Sequence, residues 1–180
     1  GESFMQVIYA RQPLPATKPG EILPNSIFLV GPTPRDKNVP SWRPKALELL
    51  KSKGFDGTVF APEDADLQGM GEAFDYKTQI WWEIEALGKA ACVCCWVPRD
   101  LGDMPAFTTN VEFGFCLANK PQRLVLGAPP DAPKMKYLKE LGRNNQRFQQ
   151  AFGRADTLPS IPVVERLEEA LDKALQIAKT

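Results

Sequence analysis

Residues 26–32 read Ser-Ile-Phe-Leu-Val-Gly-Pro, a nearly unbroken apolar run that stops at a glycine–proline pair. Similar short runs recur at residues 58–61, 91–97 and 123–126, and segments of helical period, such as residues 76–89, separate them. The runs are continuously apolar rather than alternating, which is typical of strands that are covered on both faces. Their order therefore predicts a central, mostly parallel sheet with helices packed on both sides.

The remaining segments complete this α/β pattern. Helices are predicted over residues 41–53, with Ser41 as cap and Gly54 as stop, and over residues 108–119. The last helix is predicted to begin at Ser160–Pro162 and to carry the apolar stripe Val164, Leu167, Leu171, Ala174 and Ala178.

The length of 180 residues fits about one domain. Residues 1–25 are interpreted as an N-terminal edge strand, within residues 4–10, followed by a proline-rich connection. Residues 26–180 are interpreted as a single α/β domain.

The most restrictive feature of the composition is the absence of histidine from the chain. A Ser-His-Asp triad, a Cys-His dyad and a His-ligated zinc site are therefore excluded. Acid–base chemistry must come from carboxyl, lysine, tyrosine or cysteine side chains, or from a bound cofactor.

Charge and cysteine usage bear on partners and location. Lys and Arg together number 22, as do Asp and Glu, which argues against a nucleic-acid polymer or an anionic membrane as the main partner. We recognise no membrane-spanning apolar run and no signal peptide, and the four cysteines in apolar segments are interpreted as core residues. A cytoplasmic, reducing location is therefore expected.

The strand-to-helix turns, where parallel sheets bind ligands, lack the familiar phosphate-binding sequences. Neither GxGxxG nor GxxxxGK followed by Ser or Thr occurs after any predicted strand. Dinucleotide binding of the Rossmann type and P-loop NTPase chemistry therefore lack their fingerprints.

Glu112 follows the third of these turns, close to the predicted start of the helix over residues 108–119. Thr109-x-x-Glu112 matches a capping box, in which the glutamate accepts a hydrogen bond from the N–H of the cap residue. The same first-turn position would let the positive end of the helix hold Glu112 ionised, so that it could act as a nucleophile. Local sequence leaves both interpretations open.

A second carboxylate, Glu83, lies on the preceding predicted helix. Tyr76, Gln79 and Glu83 follow one another at helical spacing and share one face, with Trp82 beside them. A solvated helix face with aromatic anchors would explain this pattern. An acidic and aromatic wall facing Glu112 would explain it equally.

Taken in order, these motifs resemble the nucleoside 2-deoxyribosyltransferase family. The resemblance covers roughly residues 26–127 and depends on the order and spacing of short pieces. The pieces are Phe28-Leu29-Val30-Gly31-Pro32, Trp42-Arg43, Val59-Phe60-Ala61-Pro62, Tyr76-x-x-Gln79-x-x-Trp82-Glu83, Thr109-x-x-Glu112-x-Gly114 and Lys120-Pro121.

The resemblance implies a flavodoxin-like three-layer α/β/α sandwich that cleaves and re-forms N-glycosidic bonds of nucleosides or nucleotides. In that family a glutamate matching Glu112 attacks C1′ of deoxyribose, an acidic residue matching Glu83 assists, and a second base or water then takes the sugar. Members are homo-oligomers that need no metal and no organic cofactor. The residues that this predicts to bind substrate are Gly31, Pro32, Trp42, Arg43, Tyr76, Gln79, Trp82, Thr109 and Asn110.

Three departures from the family pattern keep alternatives open. Phe28 stands where many members have a tyrosine, the segment 106–109 replaces an acid-x-Gly-Thr sequence, and Ala91 replaces an aspartate. The alternatives are hydrolysis in place of transfer, a non-catalytic nucleotide-binding module and a flavodoxin-like redox protein. Residues 131–155 carry six basic and two acidic side chains, which indicates either a solvated helical face or a phosphate-binding rim.

Overall fold

The computed structural model describes residues 4–65, 75–155 and 158–180. The strands in these ranges are β1 (Gln6–Tyr9), β2 (Leu23–Val30), β3 (Thr58–Ala61), β4 (Ala90–Trp96), β5 (Leu124–Gly127) and β6 (Val163–Val164). They form one sheet in the order β1-β3-β2-β4-β5-β6, and every pair of neighbouring strands is parallel.

Helices cover both faces of this sheet. They are α1 (Arg43–Ser52), α2 (Tyr76–Lys89), α3 (Phe107–Asn119), α4 (Lys136–Arg143), α5 (Asn145–Ala151) and α6 (Leu167–Ala178), and a short 3-10 helix at Pro121–Arg123 precedes β5. The predicted flavodoxin-like sandwich is therefore confirmed, with a sheet that is parallel throughout the described residues. Within the same ranges, every helix is too short or too polar to traverse a lipid bilayer.

Successive residues of β2 enter two separate apolar layers, because side chains of a strand alternate between the faces of its sheet. Phe28 and Val30 pack among the buried side chains of α2 and α3. Ile27 and Leu29 pack in the opposite layer, with α1 and α6. All four are almost completely inaccessible to solvent, which explains why the run shows no polar alternation.

The two ends of the sheet are built by elements near the chain ends. β1 pairs in parallel with β3 at one edge, within the residues predicted as an edge strand. At the other edge Val163–Val164 form β6 beside Leu126 and Gly127. The predicted helix start at Ser160–Pro162 was therefore wrong, and α6 begins at Leu167.

The apolar pattern could not separate this short strand from the helix that follows it. Val164 is buried, as the predicted stripe required, but it belongs to a strand and not to the helix. In the same way β2 begins at Leu23, three residues before the predicted start, inside the segment interpreted as a connection.

The stop signal of α1 acts as predicted, but the helix starts at Arg43 and its cap residue is Trp42 rather than the predicted Ser41. The Ser41 hydroxyl accepts a hydrogen bond from the Arg43 backbone N–H at 3.1 Å. Gly54 follows the helix with φ 78°, the left-handed conformation that favours glycine after a helix end.

α2 has the predicted bounds but presents a different buried face. Ile84, an apolar residue of this helical segment, is 40% exposed, whereas Gln79 and Trp82 are buried. The Trp82 indole N–H donates to the carbonyl oxygen of Gln12 at 2.8 Å. This orientation turns Gln79 and Glu83 toward the pocket described below.

The four cysteines, Cys92, Cys94, Cys95 and Cys116, are free and buried, in agreement with their interpretation as core residues. Burial raises the pKa of Cys94 and of Cys116 to about 12. Thiols that stay protonated in this way are poor nucleophiles.

Candidate active site

A pocket opens at the carboxyl ends of β2 and β4, beside α2 and α3. The chain passes from β2 to β3 on one side and then to β4 on the other, so the pocket lies at the switch point where parallel sheets bind ligands. It is lined by residues 31–35 after β2, by residues 103–109 around the start of α3, and by Tyr76, Gln79, Ile80, Glu83 and Glu112.

Gly31 stands at the end of β2 because a larger residue does not fit there. A Cβ at this position would lie 2.3 Å from the Trp96 carbonyl oxygen and 2.5 Å from a ring carbon of Trp42. The Trp42 indole N–H in turn donates to the Pro32 carbonyl oxygen at 3.0 Å. Packing from the opposite face of the sheet thus holds the loop that lines the pocket.

Glu112 does not take part in the predicted capping box. α3 begins at Phe107 after Ala106, which has φ 60° and makes no side-chain cap, so Thr109 lies inside the helix and Glu112 lies in its second turn. The predicted stabilisation of an ionised Glu112 by the helix N-terminus is therefore also wrong, because that effect falls off within the first turn. The carboxyl group instead projects into the pocket wall, and the residue is only 8% exposed.

Arg99 holds the start of α3 in place. Its guanidinium donates to the carbonyl oxygens of Pro105 and Ala106 and, at 2.6 Å, to the Asn110 side-chain oxygen. Asn110, predicted to bind substrate, is therefore engaged inside the protein and does not line the pocket. These contacts hold Ala106 in its left-handed conformation at the pocket wall.

Glu83 and Glu112 come from neighbouring helices and line the same pocket. Burial and, to a smaller extent, repulsion by Glu83 raise the pKa of Glu112 to about 8, although the Arg43 cation opposes both effects. Burial also raises the pKa of Glu83, while a hydrogen bond from Gln79 and the charge of Arg43 lower it. At neutral pH we therefore expect the pair to hold one proton.

Arg43 is a buried cation behind the pocket. It is fully inaccessible, and its guanidinium donates to the carbonyl oxygens of Leu29 and Gly31 and to the Thr33 hydroxyl. It also forms a buried ion pair with Glu63 at 3.1 Å. Burial lowers the pKa of Arg43, but the Glu63 carboxylate opposes this shift, and the guanidinium stays charged.

A series of hydrogen bonds connects Glu83 to the N-terminal segment. The Gln79 amide N–H donates to a Glu83 carboxylate oxygen at 3.1 Å, and the Gln79 oxygen accepts from Arg11 at 3.0 Å. Arg11 in turn forms an ion pair with Asp64, in the loop after β3. The orientation of Glu83 thus depends on residues far apart in sequence.

A family model described as "nucleoside 2-deoxyribosyltransferase like" matches residues 24–132, which is more than half of the chain. The chain belongs to this family. A search among curated proteins gave no match. The matched range of this deoxyribosyltransferase-like protein runs from β2 to just beyond β5 and includes both glutamates, whereas β1, α4, α5, α6 and β6 lie outside it.

The structure brings together most of the residues that the sequence assigned to the site of this deoxyribosyltransferase-like protein. Those that line the pocket are Gly31, Pro32, Tyr76, Gln79, Glu83, Thr109 and Glu112. Trp42, Arg43, Trp82 and Asn110 do not line it. Each of these four is buried or engaged in a hydrogen bond within the fold, where it supports the pocket from behind.

Three supporting residues were not predicted from the sequence. Glu63 follows directly on the strand end Ala61-Pro62, so its position at the carboxyl edge of the sheet was a usable signal. Arg99 follows Pro98 after β4 and carried the same kind of signal. Arg11 carried none, because its contact with Gln79 spans 68 residues of sequence.

Glu83 and Glu112 place two carboxyl groups in the pocket lining. Among residues 4–65, 75–155 and 158–180, no group of three or more Cys, Asp or Glu side chains is placed to hold a metal ion. Two carboxyls that share a proton can supply one anion and one acid in the same pocket.

Proposed function

We propose that this protein cleaves the N-glycosidic bond of a nucleoside or nucleotide, with Glu112 as the nucleophile that attacks C1′ of the sugar. The observation that carries the proposal is the pair Glu83 and Glu112 in one pocket at the switch point of the sheet. Paired carboxylates are the usual means of cleaving glycosidic bonds, because they stabilise an oxocarbenium-like transition state. Membership of the family supports the same reaction class.

Because the pKa of Glu112 is raised, the mechanism must include removal of the proton from its carboxyl group. Glu112 holds a proton in the free pocket, and a nucleophilic carboxylate must lose it before it attacks. We propose that Glu83 accepts this proton and delivers it to the nitrogen of the departing base. Glu112 then bonds to C1′ as the C1′–N bond breaks, and a second base or water later releases the sugar.

Other parts of the pocket are suited to the sugar and the base. Thr109 lies beside Glu112 in the pocket and offers a hydroxyl to the sugar. Phe107 and Tyr76 both line the pocket, and Phe107 is largely exposed, so a base can stack on the Phe107 ring. Arg35 is a cation in the pocket lining and favours a nucleotide over a nucleoside, whereas the basic stretch 131–155 does not line the pocket.

The proposal is tested by incubating the protein with a panel of nucleosides, 2′-deoxynucleosides and their 5′-monophosphates, followed by chromatographic separation of the products. We expect release of free base from at least one member of the panel. Added second base distinguishes transfer, which yields a new nucleoside, from hydrolysis, which yields free sugar. Release of no base from any member would overturn the proposed activity.

Activity is expected to fall above about pH 8. The proton that serves the departing base is lost as pH rises through the pKa of Glu112, so kcat/KM should decrease about tenfold per pH unit beyond it. On the acidic side, protonation of both carboxyls removes the nucleophile and lowers activity again. A rate profile that stays flat from pH 6 to 10 on a verified substrate would contradict the shared-proton mechanism.

One observation favours a second candidate, a non-catalytic nucleotide-binding module. Burial raises the pKa of Glu112 to about 8, so the ionised nucleophile is not the main form expected at neutral pH. Such a module would bind a member of the panel, measured by calorimetry, and release no base from it.

A further inference from the structure

The turn after β1 is tied to the active-site helix. Within residues 9–12, the Gln12 N–H donates to the Tyr9 carbonyl oxygen at 3.1 Å. The Gln12 carbonyl oxygen accepts from the Trp82 indole of α2 at 2.8 Å. A segment outside the family match, which covers residues 24–132, is thus held directly against α2.

Arg11 stands in this turn with φ 66°, a left-handed conformation that favours glycine. Its side chain is partly buried and contacts Gln79 and Asp64. A non-glycine residue in this conformation carries a strain of about 1 kcal/mol or more, so compensating contacts are needed. The contacts with Gln79 and Asp64 supply them.

Arg11 determines which way the Gln79 amide points. A guanidinium has donors and no acceptor, so the amide atom that faces Arg11 must be the oxygen. The amide NH2 group then faces Glu83, to which it donates at 3.1 Å. Gln79 is only 2% exposed, so solvent offers its amide few other partners if this order is lost.

Several charged or polar groups act on the Glu83 carboxyl from the surrounding elements. Glu112 faces it from α3, the Arg43 cation acts on it from the start of α1, and Gln79 donates to it from its own helix. Glu112 and Arg43 act through charge, whereas Gln79 acts through a donor whose direction Arg11 sets. Arg11 therefore controls one of the interactions that favour the ionised form of Glu83.

We propose that Arg11 is a positioning residue that orients the Gln79 amide and thereby keeps Glu83 as the ionised partner that receives the proton of Glu112. This role rests on the proposed function, in which Glu83 relays that proton. The N-terminal segment, outside the family match, would then be part of the catalytic apparatus through its action on α2.

The test measures the titration of the Glu83 carboxyl directly, by NMR of protein labelled with carbon-13 at glutamate side-chain carboxyls. The Glu83→Gln variant identifies the resonance. In Arg11→Met we expect the midpoint of Glu83 to rise by about 0.5–1 pH unit, since a hydrogen bond to the charged form is lost. Arg11→Gly relieves the backbone strain while removing the side chain, and we expect the same shift from it even if the Met variant folds poorly.

Two further variants separate positioning from a general structural effect. Asp64→Asn removes the ion pair but leaves Arg11 free to hold Gln79, so the Glu83 midpoint should stay within about 0.3 unit of the wild type. In a Gln79→Met background, adding Arg11→Met should cause no further shift, because the proposed path no longer exists. An unchanged midpoint in Arg11→Met and Arg11→Gly, or an equal shift in the Gln79→Met background, would overturn the proposal.

The pH dependence of activity provides an independent test of the same proposal. On a substrate identified with the panel, the acidic limb of the kcat/KM profile should move upward in Arg11→Met with the NMR midpoint, while the alkaline limb changes less. An acidic limb that stays in place would overturn the catalytic role. If the wild type releases no base from any substrate, the proposed function fails, and the carboxyl titration still decides whether Arg11 positions Glu83.

Discussion

Glu112→Gln is expected to lower kcat/KM for base release by about 10³-fold or more, because the amide cannot form the glycosyl-enzyme bond proposed for Glu112. The side chain keeps its size and its buried position, so the pocket should retain its shape. The measurement is base release on a substrate identified with the panel. A variant that retained full activity would remove Glu112 from the mechanism.

The same variant is expected to be more stable than the wild type at alkaline pH. The pKa of Glu112 is raised in the folded protein from its usual 4.5 to about 8, so the folded state binds more protons than the unfolded state between these values. The wild type therefore loses stability as pH rises from about 4.5 to 8, and glutamine, which cannot ionise, avoids that loss. The gain should reach a few kcal/mol above pH 8, since each pKa unit corresponds to about 1.4 kcal/mol.

Urea unfolding at pH 5 and at pH 8.5 measures this difference, with Glu85→Gln as the matched control. Glu85 lies on α2, is exposed and does not line the pocket, so its substitution should change neither activity nor stability appreciably. Equal stability of wild type and Glu112→Gln at both pH values would contradict the burial of a titrating carboxyl. Together, base release and urea unfolding test whether Glu112 lowers the stability of the folded protein while it supports activity.

Arg43→Met is expected to destabilise the protein by about 3–5 kcal/mol, because it leaves Glu63 as a buried carboxylate without its cation. Both side chains of this pair are almost completely buried, at 0% and 2% exposure. The carbonyl oxygens of Leu29 and Gly31 also lose a donor. Chemical denaturation checks the loss of stability.

Two comparisons sharpen this prediction. Lys45→Met removes an exposed cation from the same helix, whose contact with Glu48 is solvent-screened, and should cost less than about 1 kcal/mol. The double variant Arg43→Met with Glu63→Met should recover much of the lost stability, because the unpaired charge disappears. Equal effects of Arg43→Met and Lys45→Met would show that the buried pair contributes little.

Arg43 also connects stability to the reactive pair. Its positive charge lowers the pKa of both Glu83 and Glu112, so its removal should raise both. In Arg43→Met molecules that remain folded, the alkaline limb of the rate profile should therefore move to higher pH. The first turn of α1 thus influences the chemistry without lining the pocket.

Much of the fold was predictable from local patterns. The continuous apolar runs of β2 and β4 and the helical period of α2 required burial on both faces of a sheet, which the structure has. Short elements were not predictable in the same way. β6 has two residues, too few to show a period, and it is defined by its pairing with β5 rather than by its own sequence.

The site was predictable in its location and in its two carboxyl groups but not in its electrostatics. Residues at the carboxyl ends of parallel strands must meet at one edge, and Glu83 and Glu112 do so. One of the two interpretations of Glu112, in which a helix start keeps it ionised, was wrong, because the helix starts at Phe107 and the carboxyl is buried.

The sequence by itself therefore determined the α/β architecture, the family and the absence of histidine from these 180 residues. These follow from composition, periodicity and the order of motifs, all of which are local or additive along the chain. Only the tertiary structure decided that Glu112 is buried beside Glu83 with a raised pKa, that Arg43 supports the pocket from behind and that Arg11 reaches Glu83 through Gln79. The burial of a side chain and the charges around it depend on residues that are distant in sequence, and a local sequence pattern does not identify those residues.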